Sequence, residues 1–208
     1  MKLFEYMAKA VLRKHGIPVP DGFVVSSADQ IRKIPGPVMV KAQVLIGGRG
    51  KAGGIKPAET VDEARRVAAS ILGMKIRGFT TKEVLVEQRL DVARELYLGI
   101  TIDRGNRSLL IMASPDGGID IESVPEDRML MLPLDPLMGY QPFVGRRVAA
   151  FLGQPPEQSS QIASICHRLH ELAVYEDAEL AEINPLVVTK DGKVVAGDRV
   201  QCAYHGLE

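Results

Sequence analysis

The chain has 208 residues, 46% of them apolar, and its 26 basic and 26 acidic residues cancel. That balance excludes an overall field directed at nucleic acid or a membrane surface, so any anion it holds is gripped by local geometry. Cys166 and Cys202, without CxxC spacing, exclude a disulfide framework and fit a reducing compartment, with the cytoplasm as the default. No apolar run reaches membrane-spanning length, and the first residues alternate charged and apolar side chains instead of forming a leader.

Leu3, Phe4, Met7, Ala8, Val11 and Leu12 recur at helical spacing, and Gly16 and Pro18 end that helix. PDGFVV turns into a short strand, and Ser26 or Ser27 caps a short helix running through Ile34. PVMVKAQVLI, residues 37–46, is β-rich; GGRGKAGG follows, and Ile55-Lys56 resumes the extended pattern. Thr60 and Glu63 form a capping box for a helix closed by Gly73. EVLVEQ (83–88), LYLGITID (96–103), SLLIMAS (108–114) and IDIESV (119–124) read as strands. Tight turns at Gly105-Asn106 and Asp116-Gly117-Gly118 imply antiparallel pairing among them. Helices follow near 143–152 and after Pro156, and the hairpin LAEINPLVV–TKDG–KVVAGDRV closes the chain. The fold class is α+β with antiparallel sheets, arranged as two lobes.

GGRGKAGG places Gly47, Gly48, Gly50, Gly53 and Gly54 between extended segments, with Arg49 and Lys51 among them. Glycines this dense let backbone N–H groups converge on an anion, because no Cβ blocks approach. Residues 48–53 match GxGxxG, but a dinucleotide site needs a helix directly afterwards, and here Ile55-Lys56 and Pro57 intervene. No GxxxxGK[ST] occurs either. What remains is a strand–loop–strand flap over phosphates, set against a plain surface hairpin. Lys41 is a lone charge inside VMVKAQV. Buried, it needs an anion, and a phosphate would serve; on an edge strand it would face solvent.

The last hairpin gathers oxygen ligands. If Lys190-Asp191-Gly192 is a three-residue loop, Asn184 lies directly opposite Asp198, with Glu182 on the same face, a set suited to Mg²⁺. A two-residue loop pairs Asn184 with Arg199 and sends Asp198 to the other face. Glu87 and Glu95, at strand ends, carry little signal by pattern. His15, His167 and His170 read as helix-surface residues without metal or triad spacing.

Taken together, KLFEYMAK, GIPVP, VKAQVLIGGRGKAGGIK, VLVEQRLDVARELYLGITIDR, IMASPDGGIDIE and EINPLVVTKDGKVVAGD resemble the β subunit of succinyl-CoA synthetase, from the first residue to about Asp198. The resemblance implies an ATP-grasp fold over residues 1–208, with a small lobe of roughly residues 20–95 inserted in it and two lobes clasping a nucleotide. It implies an NDP-forming acid–CoA ligase that moves phosphoryl between Mg²⁺-bound ATP or GTP and a histidine on an α subunit, within a heterodimer or heterotetramer. By motif, Lys41 would contact phosphates; Gly48, Arg49 and Gly50 would line the flap; Glu87 and Leu90 would sit by base and ribose, and Glu95 near the phosphates. Asn184 and Asp198 would hold Mg²⁺, and Glu182 would stand by the arriving phosphohistidine. Arg199 and CAYHGLE depart from the family's pattern after Asp198. The family's flavodoxin-like second domain has no counterpart here, so the expectation is a nucleotide-binding domain incomplete without its partners. Malate-, citrate- and acetate-using relatives share the domain.

Overall fold

The computed structural model describes residues 3–46 and 48–204, the last seven as backbone alone. The elements in chain order are α1 (Glu5–Lys14), β1 (Gly22–Val25), β2 (Val38–Ala42), β3 (Ile55–Ala58), α2 (Val61–Ile71), β4 (Lys75–Ile76), β5 (Phe79–Thr80) and β6 (Val84–Gln88). There follow β7 (Val92–Asp103), β8 (Ser108–Ser114), β9 (Leu130–Pro133), α3 (Pro142–Phe151), α4 (Pro156–Tyr175), β10 (Ala178–Thr189) and β11 (Val194–Tyr204). The chain divides into two compact units, one of residues 20–90 and one of residues 1–19 with 91–208. None of the described helices is long and apolar enough to cross a membrane.

The smaller unit is an antiparallel sheet in the order β1-β6-β2-β3, with α2 packed on it and a β4–β5 hairpin beside it. Ala64, Ala68 and Ile71, at helical spacing, meet Val38, Val40, Val84 and Val86, at strand alternation. Thr60 caps α2 by accepting from the Glu63 N–H at 3.2 Å, but the expected box is only half made, since the Glu63 carboxylate accepts from the Glu59 N–H at 2.8 Å. The helix expected after Ser27 is only a 3₁₀ turn, Ala28–Gln30, because the Gln30 side chain takes the Ser26 and Ser27 N–H groups and the chain turns away.

The larger unit is an antiparallel sheet in the order β11-β10-β7-β8-β9. Leu96, Leu98 and Ile100 of β7 and Ala181 and Ile183 of β10 join Leu12, Ile162, Leu169 and Leu172 in one core. The opposite face therefore receives Tyr97, Gly99, Glu182 and Asn184. IDIESV is not a strand: residues 121–123 and 126–128 form 3₁₀ turns, and β8 pairs with β9 instead.

Candidate functional site

In the smaller unit β2 stops at Ala42, four residues before the end of the apolar run that predicts it. The Ala42 N–H donates to Gly54 O at 2.7 Å, and its carbonyl accepts from Arg49 Nη1 at 3.1 Å. The glycine loop is thus folded back on the strand end. Gly54 N–H bonds Arg49 O at 2.8 Å, and Gly48 and Gly53 take φ of +81° and +76°, where side chains are disfavoured. Arg49 is buried and ties the loop down from within. The cation beside Gly48 is Arg77, from the β4–β5 turn: a Cβ on Gly48 would lie 3.1 Å from its Nη2. Nothing in the spacing around Arg77 marks it in the sequence. Gly47 lies outside the described residues.

Lys41 is buried, and so is Glu87 on the neighbouring β6. Their Nζ and Oε2 atoms are 2.7 Å apart. Lys41 and Glu87 therefore form one ion pair, and the anion that accompanies Lys41 within the fold is a carboxylate. Leu90, half-buried, ends this unit.

In the larger unit Glu182 is 9% exposed, and its Oε2 accepts from the Tyr97 hydroxyl at 3.2 Å. Burial first, and then the Glu182 charge, push the Tyr97 phenol well above its usual range, so it stays a proton donor. Gly99 makes room for the pair: a Cβ there would lie 2.6 Å from Tyr97 Oη and 3.5 Å from Glu182 Cβ. The signal for Tyr97 was present in the sequence, since LYLG puts Tyr97 and Gly99 on the face opposite Leu96 and Leu98.

Asn184 holds a loop. Its Oδ1 accepts from the Gly118 N–H at 2.7 Å, and its Nδ2 donates to Ile119 O at 2.8 Å. Gly117 crosses directly over β7, where a Cβ would run into the Leu96 backbone, and a Cβ on Gly118 would run into Glu95 Oε2. Arg128 closes the same loop by a two-pronged bond to Asp116, which holds that carboxyl below its usual range. Replacing Asn184 with alanine should strand the Gly118 N–H and Ile119 carbonyl. The expected cost is about 1–3 kcal/mol in denaturant unfolding, with faster amide exchange at Gly118.

The closing hairpin corrects the sequence reading. The loop does have three residues, with Thr189 N–H on Lys193 O and Gly192 at φ +82°. Yet Asn184 pairs with Arg199, not Asp198. Leu186, Val187 and Val188 pair with Ala196, Val195 and Val194 as a three-residue loop requires, and an extra residue on β11 opposite Pro185 then shifts the register. Counting across the bulge therefore fails. The Asp198 side chain lies outside the described residues. Asn184 Oδ1 accepts one hydrogen bond and keeps a second lone pair, and an amide oxygen is a hard donor of the kind Mg²⁺ takes.

A family model described as ATP-grasp domain matches residues 2–188. The chain belongs to the ATP-grasp domain family. Among curated relatives, a succinate–CoA ligase [ADP-forming] subunit beta of Herpetosiphon aurantiacus is 44% identical over 206 residues, 95% of this chain and 54% of the relative. The same subunit of Chloroflexus aurantiacus is 45% identical with the same coverage. The chain thus spans about half the length of the curated relatives it matches. Among solved structures, a dinucleotide-forming acetyl-coenzyme A synthetase 1 of Ca. Korarchaeum cryptofilum superposes with a TM-score of 0.81 at 17% identity, over 98% of this chain and 93% of that one. An ATP citrate lyase from Methanothrix soehngenii gives 0.71 at 19% identity, over 97% and 50%. These two likenesses bear on the fold, which is that of an ATP-grasp domain with mixed helices and antiparallel sheets.

Proposed function

We propose that this ATP-grasp chain is the nucleotide-binding part of an NDP-forming acid–CoA ligase of the succinate type, working with an α subunit that carries the reacting histidine. The observation that carries the reading is the 44% identity over 95% of the chain to a succinate–CoA ligase β subunit. Lys41 neutralises phosphate charge, with Glu87 holding its ammonium in place, and the backbone N–H groups of residues 48–50 line the phosphates. Glu87 and Leu90 lie towards the base and ribose, and Glu95 towards the phosphates.

Glu182, aimed by Tyr97, accepts the far ring N–H of the partner's imidazole and keeps the attacking nitrogen unprotonated. The bond from the γ-phosphorus to the bridging oxygen breaks, a phosphorus–nitrogen bond forms, and NDP leaves. Asn184 and Asp198 would hold Mg²⁺, which when bound offsets phosphate charge.

Mixing the chain with an α subunit and γ-labelled Mg-ATP or Mg-GTP tests this. Acid-labile label should appear on the α histidine only when the chain is present; absence of label with both nucleotides contradicts the reading. A second reading is nucleotide or partner binding without turnover. It predicts nucleotide binding with no label transferred.

A further inference from the structure

The glycine loop and the β4–β5 hairpin pack against each other inside the smaller unit. Gly54 is the tightest point: a Cβ there would lie 2.7 Å from Ile76 Cδ1 and 3.1 Å from the Ala42 Cβ. A Cβ on Gly53 would lie 3.8 Å from Met74 Cε. Ile76 is buried in the same core as Val40 and Ala42, so the hairpin is anchored by its apolar side. Its base is closed by the Thr81 N–H on Met74 O and the Gly73 N–H on Thr81 O, both at 2.9 Å.

This hairpin carries a cation to the loop. Ile76 and Phe79 pair across the two-residue turn Arg77-Gly78, in which both residues are left-handed, at φ +47° and +89°. That is the primed turn matched to the twist of the strands, so the tip is short and stiff. The Arg77 guanidinium lies against Gly48, where a Cβ would be 3.1, 3.4 and 3.7 Å from Nη2, Cζ and Nε. Arg77 is exposed, so a ligand can reach it, and among the described residues its guanidinium has no hydrogen-bond or ion-pair partner. The cations on the strand and loop themselves are engaged within the fold: Arg49 Nη1 donates to Ala42 O, and Lys41 Nζ pairs with Glu87. A stiff turn therefore holds an unpartnered fork of donors over the backbone that the nucleotide reading places on phosphates.

We propose that Arg77 is a further binding residue of the nucleotide site, its guanidinium gripping non-bridging oxygens of the polyphosphate from across Gly48. A planar guanidinium matches the oxygens of a phosphate two at a time, which the ammonium of a lysine does not. The proposal rests on the nucleotide reading and extends it to a residue beyond the glycine loop.

The 208-residue chain carrying ¹⁵N-arginine is titrated with Mg-ATP, with calorimetry in parallel. Saturable binding should move the Arg77 Nε–H resonance, identified by its loss in Arg77→Lys. Arg77→Asn, whose side chain tolerates left-handed backbone, should keep the melting temperature and weaken Mg-ATP about tenfold. Arg77→Lys, which keeps the charge and loses the fork, should weaken it in the same direction by a smaller factor. Saturable binding by the parent that leaves the Arg77 resonance in place, or that both variants match within about twofold, overturns the proposal and leaves the nucleotide reading standing. A loss in Arg77→Asn that comes with a lower melting temperature and is absent in Arg77→Lys makes Arg77 a brace of the loop, and overturns it too. No saturable binding of Mg-ATP or Mg-GTP by the parent contradicts the nucleotide reading and the proposal together.

Discussion

Replacing Lys41 with methionine should lower the free energy of unfolding by about 3–5 kcal/mol and abolish nucleotide binding. Lys41 Nζ and Glu87 Oε2 are 2.7 Å apart, and the two residues are only 6% and 2% exposed. Removing the ammonium leaves the Glu87 carboxylate buried beside an apolar side chain, which costs far more than an exposed ion pair contributes. The double variant Lys41→Met with Glu87→Leu should recover most of the lost stability, since apolar groups of similar volume replace a buried pair at little cost. It should not recover nucleotide binding. Urea unfolding with an unchanged slope reads the stability, and titration reads the binding. If the single variant is as stable as the parent, Lys41 is not what compensates Glu87. If the double variant still binds nucleotide, the lysine has no role at the phosphates.

Replacing Glu182 with glutamine should reduce phosphoryl transfer to the partner's histidine by about 10²–10⁴-fold while leaving nucleotide affinity within about twofold. The substitution keeps the shape and keeps an oxygen for the Tyr97 hydroxyl, so the fold should be undisturbed. It removes the negative charge that holds the imidazole proton. Tyr97→Phe should produce a smaller loss of the same kind, because the carboxylate remains but loses a fixed donor. Unaltered transfer in Glu182→Gln would remove Glu182 from the chemistry and leave it as a structural partner of Tyr97.

The sequence discloses local order well and register poorly. The α2 cap, the helical faces and the alternation of Leu96, Leu98 and Ile100 all follow from spacing within one element. The apolar run around Lys41 allowed either burial or an exposed edge-strand position, and the fold buries it. Its partner was not readable, because Glu87 is 46 residues away and faces Lys41 only once β6 pairs with β2. Asn184 shows why counting fails. Apolar core positions run 181 and 183 before Pro185 and 186 and 188 after it, a change of phase that announces a bulge. Strict alternation across Pro185 predicts the wrong partner.

The segment after Gly118 misled for a related reason. IDIESV alternates like a strand, but Asn184 takes the Gly118 N–H and the Ile119 carbonyl, and Arg128 ties back to Asp116. A loop closed at both ends by side chains has no free edge to extend. In the glycine loop Arg49 donates to Ala42 O, and Arg77, which no spacing in the sequence marks, stands beside Gly48.

Calorimetric titration with Mg-ATP asks whether this chain holds a nucleotide. The expected result is saturable one-to-one binding with a Kd below about 1 mM, lost in the stable Lys41→Met, Glu87→Leu double variant. The absence of saturable heat with either Mg-ATP or Mg-GTP, or undiminished binding by the double variant, would contradict the nucleotide reading.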